Sequence, residues 1–182
     1  MKANTTEQTV FYYLTESDNE WRIRFCEAFY QAFSKLPGRV LLDQIWHIND
    51  ATQQIDFRIP RQETQIMLWL HQDVVLGAAC GCTDGEQSFS QVKQYGFQNP
   101  RPDLKTFEVL SIFRNREMAL SMRIVPDFLE KSCFPYLREH HFENMMATCS
   151  EPMWPVYQRW GWDLLQVNTI SGFKRYFISK RL

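Results

Sequence analysis

The segment PVYQRWGW, residues 155–162, sets a tyrosine four residues ahead of a glycine flanked by two tryptophans. Glycine at that place reads as a helix end, because a left-handed cap favours a residue without a Cβ. Tyr157 then stands in the last turn. Two readings are open: a ring packed at a helix terminus with its hydroxyl wet, or a hydroxyl aimed at a reaction. Cys80-x-Cys82 invites a metal, with His140-His141 and Cys149 as partners. There is no second close pair, however, and adjacent histidines on a helix point apart, so buried small side chains are the simpler reading and no metal is expected. A Cys–His nucleophile can be drawn from five cysteines and four histidines, and nothing singles one pair out.

The elements that position these groups follow from periodicity. TVFYYL (9–14) reads as a first strand. Ser17 and Glu20 have capping-box spacing and open a helix whose buried stripe is Trp21, Phe25, Phe29, Phe33 and Leu36, ended by Pro37-Gly38. Residues 39–63 read as a short helix plus a loop. IMLWL (66–70) and VLGAACG (75–81) form a hairpin around His71-Gln72-Asp73, and residues 83–104 form a polar, helix-containing connection. TFEVLSIF (106–113) is a central strand. The helical stretch 119–139 carries Pro126 and Pro135, each of which forfeits a backbone hydrogen bond, so a break or kink is expected there. NMMATC (144–149) is a short buried strand, MWPVYQRW a short helix capped by Gly161, and DLLQVN and FKRYFI closing strands that turn at Ser171-Gly172. Strand–helix alternation after a hairpin implies a mixed sheet with helices on both faces, an α/β (α+β) class.

Bulk composition narrows the classes of function. The chain has 182 residues, 45% of them hydrophobic and 15% aromatic, enough for one domain spanning 1–182 and too apolar for disorder. Twenty basic against twenty-one acidic residues give a net charge of -1, so no global field draws it to nucleic acid. The apolar runs are too short for a membrane span, and MKANTTEQTV lacks a signal-peptide core. An odd cysteine count without disulfide rhythm fits a reducing, cytoplasmic setting.

The element order resembles the GNAT superfamily of acyltransferases, and the last third carries the specific part. Tyr157-Gln158-Arg159-Trp160-Gly161-Trp162 is similar to the tyrosine, three residues, glycine and aromatic with which GNAT chains often end, and VVLGAACG to their apolar-Gly-Ala strand. Within the superfamily the layout is similar to that of the acyl-homoserine lactone synthases. Trp21-Arg22-Ile23-Arg24-Phe25 resembles their arginine-bearing first helix, Leu42-Asp43-Gln44-Ile45 their acidic segment, and Glu108-Val109-Leu110-Ser111-Ile112-Phe113 their Glu-Leu-Ser-Arg-Phe strand. The hallmarks are incomplete. The strand arginine falls on Ile112, the second acid on Trp46 and another arginine near Gly81, and the glutamate is displaced by one residue. Such a slip turns the carboxylate to the other face unless a bulge intervenes.

The resemblance implies a GNAT-like mixed, mostly antiparallel sheet with a splayed parallel pair, and an N-acyltransferase using an acyl thioester and a small-molecule amine. It implies that backbone groups of Leu110, Ser111, Ile112, Phe113 and Arg114 pair with the amides of a pantetheine arm. Tyr157 would protonate the departing thiolate, since a phenol and a thiol are of comparable basicity, and Glu108 would take the ammonium proton. Arg22, Arg24, Asp43, Trp46 and Trp69 are candidates for holding substrate, the two tryptophans as walls of an acyl or acceptor pocket. The segment Arg114-Asn115-Arg116-Glu117-Met118-Ala119-Leu120 has none of the glycines that usually let a backbone approach pyrophosphate. Arg114, Arg116 and Arg123 can instead meet a single phosphate of acyl-phosphopantetheine, which favours an acyl carrier protein over acyl-CoA as donor. A solvated helix face is the plainer account of these arginines, as a surface or ion-paired carboxylate is for Glu108. An autoinducer synthase consuming S-adenosylmethionine and a non-catalytic thioester- or partner-binding module are the competing functions.

Overall fold

The computed structural model describes residues 10–13, 18–36, 39–59, 64–71, 74–82, 90–115 and 123–182. Strand β1 (Val10–Tyr13) is followed by helix α1 (Asn19–Phe33), whose buried face is Arg22, Phe25, Cys26, Phe29 and Ala32. The expected stripe is present at Phe25 and Phe29. Asp18, not Ser17, stands at the N-cap, and its side chain makes no capping bond; Ser17 and Pro37-Gly38 lie outside the described residues.

Residues 39–59 depart from the expected helix plus loop. A single helical turn, α2 (Arg39–Leu42), leads into an antiparallel ribbon, β2 (Trp46–Asn49) and β3 (Gln54–Phe57). Trp46 and Ile55 are fully buried while His47 and Asp56 face water, so the ribbon has the period-2 pattern of a half-buried pair. Its turn is fixed by Asn49 Oδ1, which accepts from the Ala51 and Thr52 N–H groups, and by Gln53 at φ 54°. Arg39 donates both arms of its guanidinium to Asp50, which also accepts from Tyr30, joining α1, α2 and the ribbon.

The main sheet adds β4 (Thr64–His71), β5 (Val74–Cys82), β6 (Thr106–Arg114), β7 (Asn144–Ser150), β8 (Asp163–Ile170) and β9 (Phe173–Arg181). Its seven strands run β1-β4-β5-β6-β7-β9-β8, with every pair antiparallel except β6 and β7. The expected hairpins are in place, the last turning through Ser171 (φ 50°) and Gly172 (φ 80°). Helix α3 (Gln91–Gln94) covers the same sheet face as α1, with Val92, Leu110, Phe113, Met146 and Phe177 in one buried cluster. The opposite face holds α4 (Ile124–Phe128), α5 (Phe134–Glu139) and α6 (Trp154–Arg159), packed on Phe107, Val109, Ala147 and Ile178.

The prolines of 119–139 do not break the chain where it is described. Pro126 sits in the first turn of α4, where an N–H has no helical acceptor to lose. Before Pro135 the helix widens over Leu129–Cys133 into a π turn, with the Phe134 N–H reaching Leu129 O, and continues as α5. The wide turn absorbs the acceptor that proline leaves unbonded.

Between β5 and β6 the register shifts: Cys80 faces Ser111 while Gly81 faces Val109, so Leu110 is an extra residue. Leu110 and Phe113, three apart, consequently share one face. The strands approach so closely here that a Cβ on Gly81 would overlap the Glu108 carbonyl oxygen and the Phe107 ring. Gly81→Ala is expected to lower stability by about 1–3 kcal/mol, as overpacking against a backbone atom does; a denaturant midpoint unchanged from wild type would contradict this.

Candidate active site

Parallel pairing of β6 with β7 covers only Thr106–Val109 against Asn144–Ala147. Beyond it both strands continue, β6 to Arg114 held by β5, and β7 to Ser150 held by β9. The two strands therefore diverge, leaving a gap in mid-sheet from Leu110 and Thr148 onward. Asn115 donates its N–H to Leu76 O at 2.7 Å, which makes that pair a hydrogen-bonded one. Hydrogen-bonded pairs alternate along an antiparallel ladder. Phe113 thus bonds toward Ala78 on β5, and Ile112 and Arg114 turn their N–H and C=O groups toward the gap. A chain of amides laid in it meets an extended edge, the same geometry by which a peptide adds to a sheet.

Helix α6 places the Tyr157 ring in the buried cluster that includes Ala147 and Cys149 of β7. The Trp162 N–H reaches Tyr157 O (3.1 Å), the Gly161 N–H reaches Gln158 O (3.0 Å), and Gly161 has φ +74°. This is a Schellman cap, with the C″ residue packing back on the C3 residue. The tryptophan and the tyrosine of the motif are those two residues, ring centroids 5.5 Å apart and edge to face, with Trp160 at 5.4 Å on another side. Lys180 seals the helix end by donating to Trp160 O at 2.7 Å. The Tyr157 ring is buried with Ala147 and Cys149. Its hydroxyl has no hydrogen bond among the described residues. Burial pushes the phenol well above its usual range, the Cys149 thiol adds to this, and Arg175 opposes it.

Cys149 is free and buried, and burial pushes its thiol up to about 12. It is a thiol, not a thiolate, at neutral pH, and so a poor nucleophile. Cys149→Ala is expected to keep turnover within about threefold of wild type, against the collapse that a nucleophile knockout would give.

Glu108, the residue expected to act as base, lies within the sheet. It is 0% exposed on the α1 face, opposite Tyr157, and its Oε1 accepts from the Val92 N–H at 3.0 Å. The carboxyl anchors the start of α3, where Ser90 Oγ accepts from the Lys93 N–H. Beside it lies a residue that sequence reasoning missed. Gln91, 2% exposed, donates through Nε2 to Leu110 O at 2.7 Å, and its Oε1 accepts from Thr148 Oγ1. The Leu110 carbonyl is thereby occupied by the protein itself, so among the five backbone positions expected to meet an arm, Ile112 and Arg114 are the ones turned to the gap. The side chain of Phe113 is core, stacked on Phe29 at 5.6 Å, and Ser111 Oγ is buried without a hydrogen-bond partner among the described residues.

The remaining candidates do not converge on one pocket. Trp46 is core, edge-on to Phe29 at 4.7 Å, whereas Trp69 stacks on Phe128 at 5.6 Å across the sheet. On opposite faces the two tryptophans cannot wall the same cavity. Arg24 pairs with Glu20 at the surface and lies over Trp21, and Asp43 is exposed. Arg22 is buried on α1, with its charge favouring ionisation of the Tyr13 phenol against the larger effect of burial. The Arg123 side chain is 77% exposed and faces Asp127 at 3.6 Å, which is the solvated-face outcome. Arg116 lies outside the described residues. Among the described residues no three His, Cys, Asp or Glu side chains gather as a metal site, and no helix is long and apolar enough to cross a membrane.

No protein-family model matches the sequence, and no curated protein matches it. Solved structures do match in fold. A CoA-dependent acyl-homoserine lactone synthase, BjaI, with SAM and isopentyl-CoA, aligns with a TM-score of 0.66 at 9% identity over 96% of this chain and 83% of its own. FeeM, an N-acyl amino acid synthase from uncultured soil microbes, gives 0.62 at 14% identity over 98% and 90%. An acetyltransferase of the GNAT family from Streptococcus pneumoniae gives 0.58 at 10% identity over 96% and 99%. The chain has the GNAT fold: a mixed, mostly antiparallel sheet with one parallel pair and helices on both faces.

Proposed function

We propose that this protein is an N-acyltransferase that moves an acyl group from a phosphopantetheine thioester to the amine of a small molecule. The observation that carries the reading is the end of β6–β7 pairing at Val109 and Ala147, beyond which the strands part and the backbone groups of Ile112 and Arg114 turn away from β5. The Tyr157 phenol on the β7 side adds a hydrogen-bond donor. In the reaction the amine nitrogen attacks the thioester carbonyl carbon, a C–N bond forms, the C–S bond breaks, and the nitrogen loses a proton. Tyr157 supports the sulfur as negative charge develops on it. Because its proton is held more tightly than a thiol's, it acts as a hydrogen-bond donor to the thiolate, not by outright transfer. Attack is direct, without an acyl-cysteine, in keeping with the neutral Cys149 thiol. The ammonium proton goes to water, since Glu108 is sealed.

The CoA ligand named for BjaI supports an acyl-CoA donor, and the glycine-free segment after β6 supports an acyl carrier protein. The name of FeeM supports an amino acid as acceptor. Incubating the protein with a C2–C12 series of acyl-CoAs and acyl carrier proteins, an amine panel that includes amino acids, and a thiol reagent tests the reading. Amine-dependent thiol release is expected. Donor binding with no release under any combination would leave a thioester-binding module in its place.

A further inference from the structure

The gap between β6 and β7 begins at one residue pair, Leu110 and Thr148, and a single side chain joins them. The next rung of a parallel ladder would place backbone against backbone there. The buried Gln91 amide stands in instead, Nε2 donating to Leu110 O and Oε1 accepting from Thr148 Oγ1. Each partner is fixed from behind. Leu110 is the bulged residue against β5, and Thr148 accepts from Arg175 Nη2 at 2.8 Å while that guanidinium lies over the Tyr95 ring. Gln91 itself is held by α3, tied down by Glu108 at the Val92 N–H and by the Tyr95 hydroxyl, which donates to Leu41 O at 2.8 Å. Glu108, Tyr95 and Arg175 thus each hold a group that keeps the amide across the gap.

We propose that Gln91 is a positioning residue for the thioester donor: its amide stops the two strands from pairing further and forms the floor against which an acyl-pantetheine arm comes to rest. This rests on the reading of the gap as a thioester slot. The floor is polar toward α1, while Val109, Ala147 and Cys149 on the other face are apolar. An acyl chain arriving at the floor is therefore turned to the α5 face, because burying methylenes against an occupied amide gains less than burying them among apolar groups.

The test measures binding of octanoyl-pantetheine, which carries the arm shared by CoA and carrier-protein donors. Gln91→Met keeps the length and loses both hydrogen bonds, and a dissociation constant raised at least tenfold is expected. Gln91→Glu, in its acid form, can donate to Leu110 O and accept from Thr148, so at pH 5.5 it should bind within threefold of wild type. Its carboxylate would face the Leu110 carbonyl beside Glu108, with Tyr95 and Arg175 the other ionisable groups around it. Its affinity should accordingly fall at least tenfold by pH 8 relative to wild type over the same range. Arg39→Ala, which breaks the surface clamp on Asp50, supplies a destabilised control whose affinity should not move. Wild-type binding with Gln91→Met within twofold, or with Gln91→Glu tracking wild type across pH, overturns the role of Gln91. Absence of wild-type binding overturns the slot itself, and this inference with it. If Gln91→Met does not fold, the Gln91→Glu pH series decides alone.

Discussion

Tyr157→Phe is expected to lower kcat by about two orders of magnitude while the donor dissociation constant stays within twofold, the size of effect typical of losing a proton or hydrogen-bond donor at a leaving group. The substitution is confined to one oxygen. The phenyl ring still fills the space between Trp160 and Trp162, and the Schellman cap uses only backbone of residues 157–162, so neither α6 nor the cluster on Ala147 and Cys149 need move. The pH dependence has a definite sign. Burial raises the folded-state pKa of the phenol above its ordinary value of about 10. The protonated hydroxyl is therefore fully present below pH 10, and no limb of the kcat profile between pH 6 and 10 comes from this residue. Any stability difference linked to its ionisation appears only above about pH 10, where the unfolded phenol ionises first and folding loses free energy. Steady-state kinetics with isothermal titration separates the two effects; an unchanged kcat would remove Tyr157 from the mechanism.

The second large effect concerns Glu108 and is one of stability. Glu108→Ala deletes a fully buried acceptor, orphans the Val92 N–H and leaves a cavity under α3. A loss of about 3 kcal/mol is expected, combining a lost buried hydrogen bond with incomplete collapse of the site. For a chain of this size that is about 10 °C in Tm. Glu108→Gln retains an acceptor oxygen in the same place, so its turnover should remain within about threefold of wild type. A general base would behave in the opposite way, losing 100-fold or more on the same change. Circular-dichroism melting and thiol release on both variants distinguish anchor from base.

How much of this was legible beforehand differs by element, for physical reasons. The Tyr157–Trp162 cap was readable because all of its determinants are local: a glycine at a left-handed position and aromatic residues on either side. The central strand declared itself by alternation and its neighbours by short apolar runs. The β2–β3 ribbon did not, although Trp46, Ile48 and Ile55 carry a period-2 signal, because four-residue strands separated by a polar turn resemble a loop. Register is where sequence reading stopped. The bulge at Leu110 shifts parity between Glu108 and Phe113, and only the close approach at Gly81 hints at it. Where β6 and β7 cease to pair depends on Gln91, which comes from a polar connection with no periodicity of its own. The bond from Glu108 to the Val92 N–H was hidden for the same reason, since α3 comes from that connection. Trp46 and Trp69 looked alike in sequence and fell on opposite faces, because the strands that carry them belong to different sheets.

Amide protection along β6 is the most direct test of the slot. Hydrogen exchange of the 15N-labelled protein, with and without octanoyl-pantetheine, should slow at Ile112 and Arg114 at least tenfold on addition of the compound. Phe113 and Asn115, already bonded to β5, should stay as they were. Unaltered exchange at 112 and 114 in the presence of saturating compound, or protection appearing on strands away from the gap, would contradict the account.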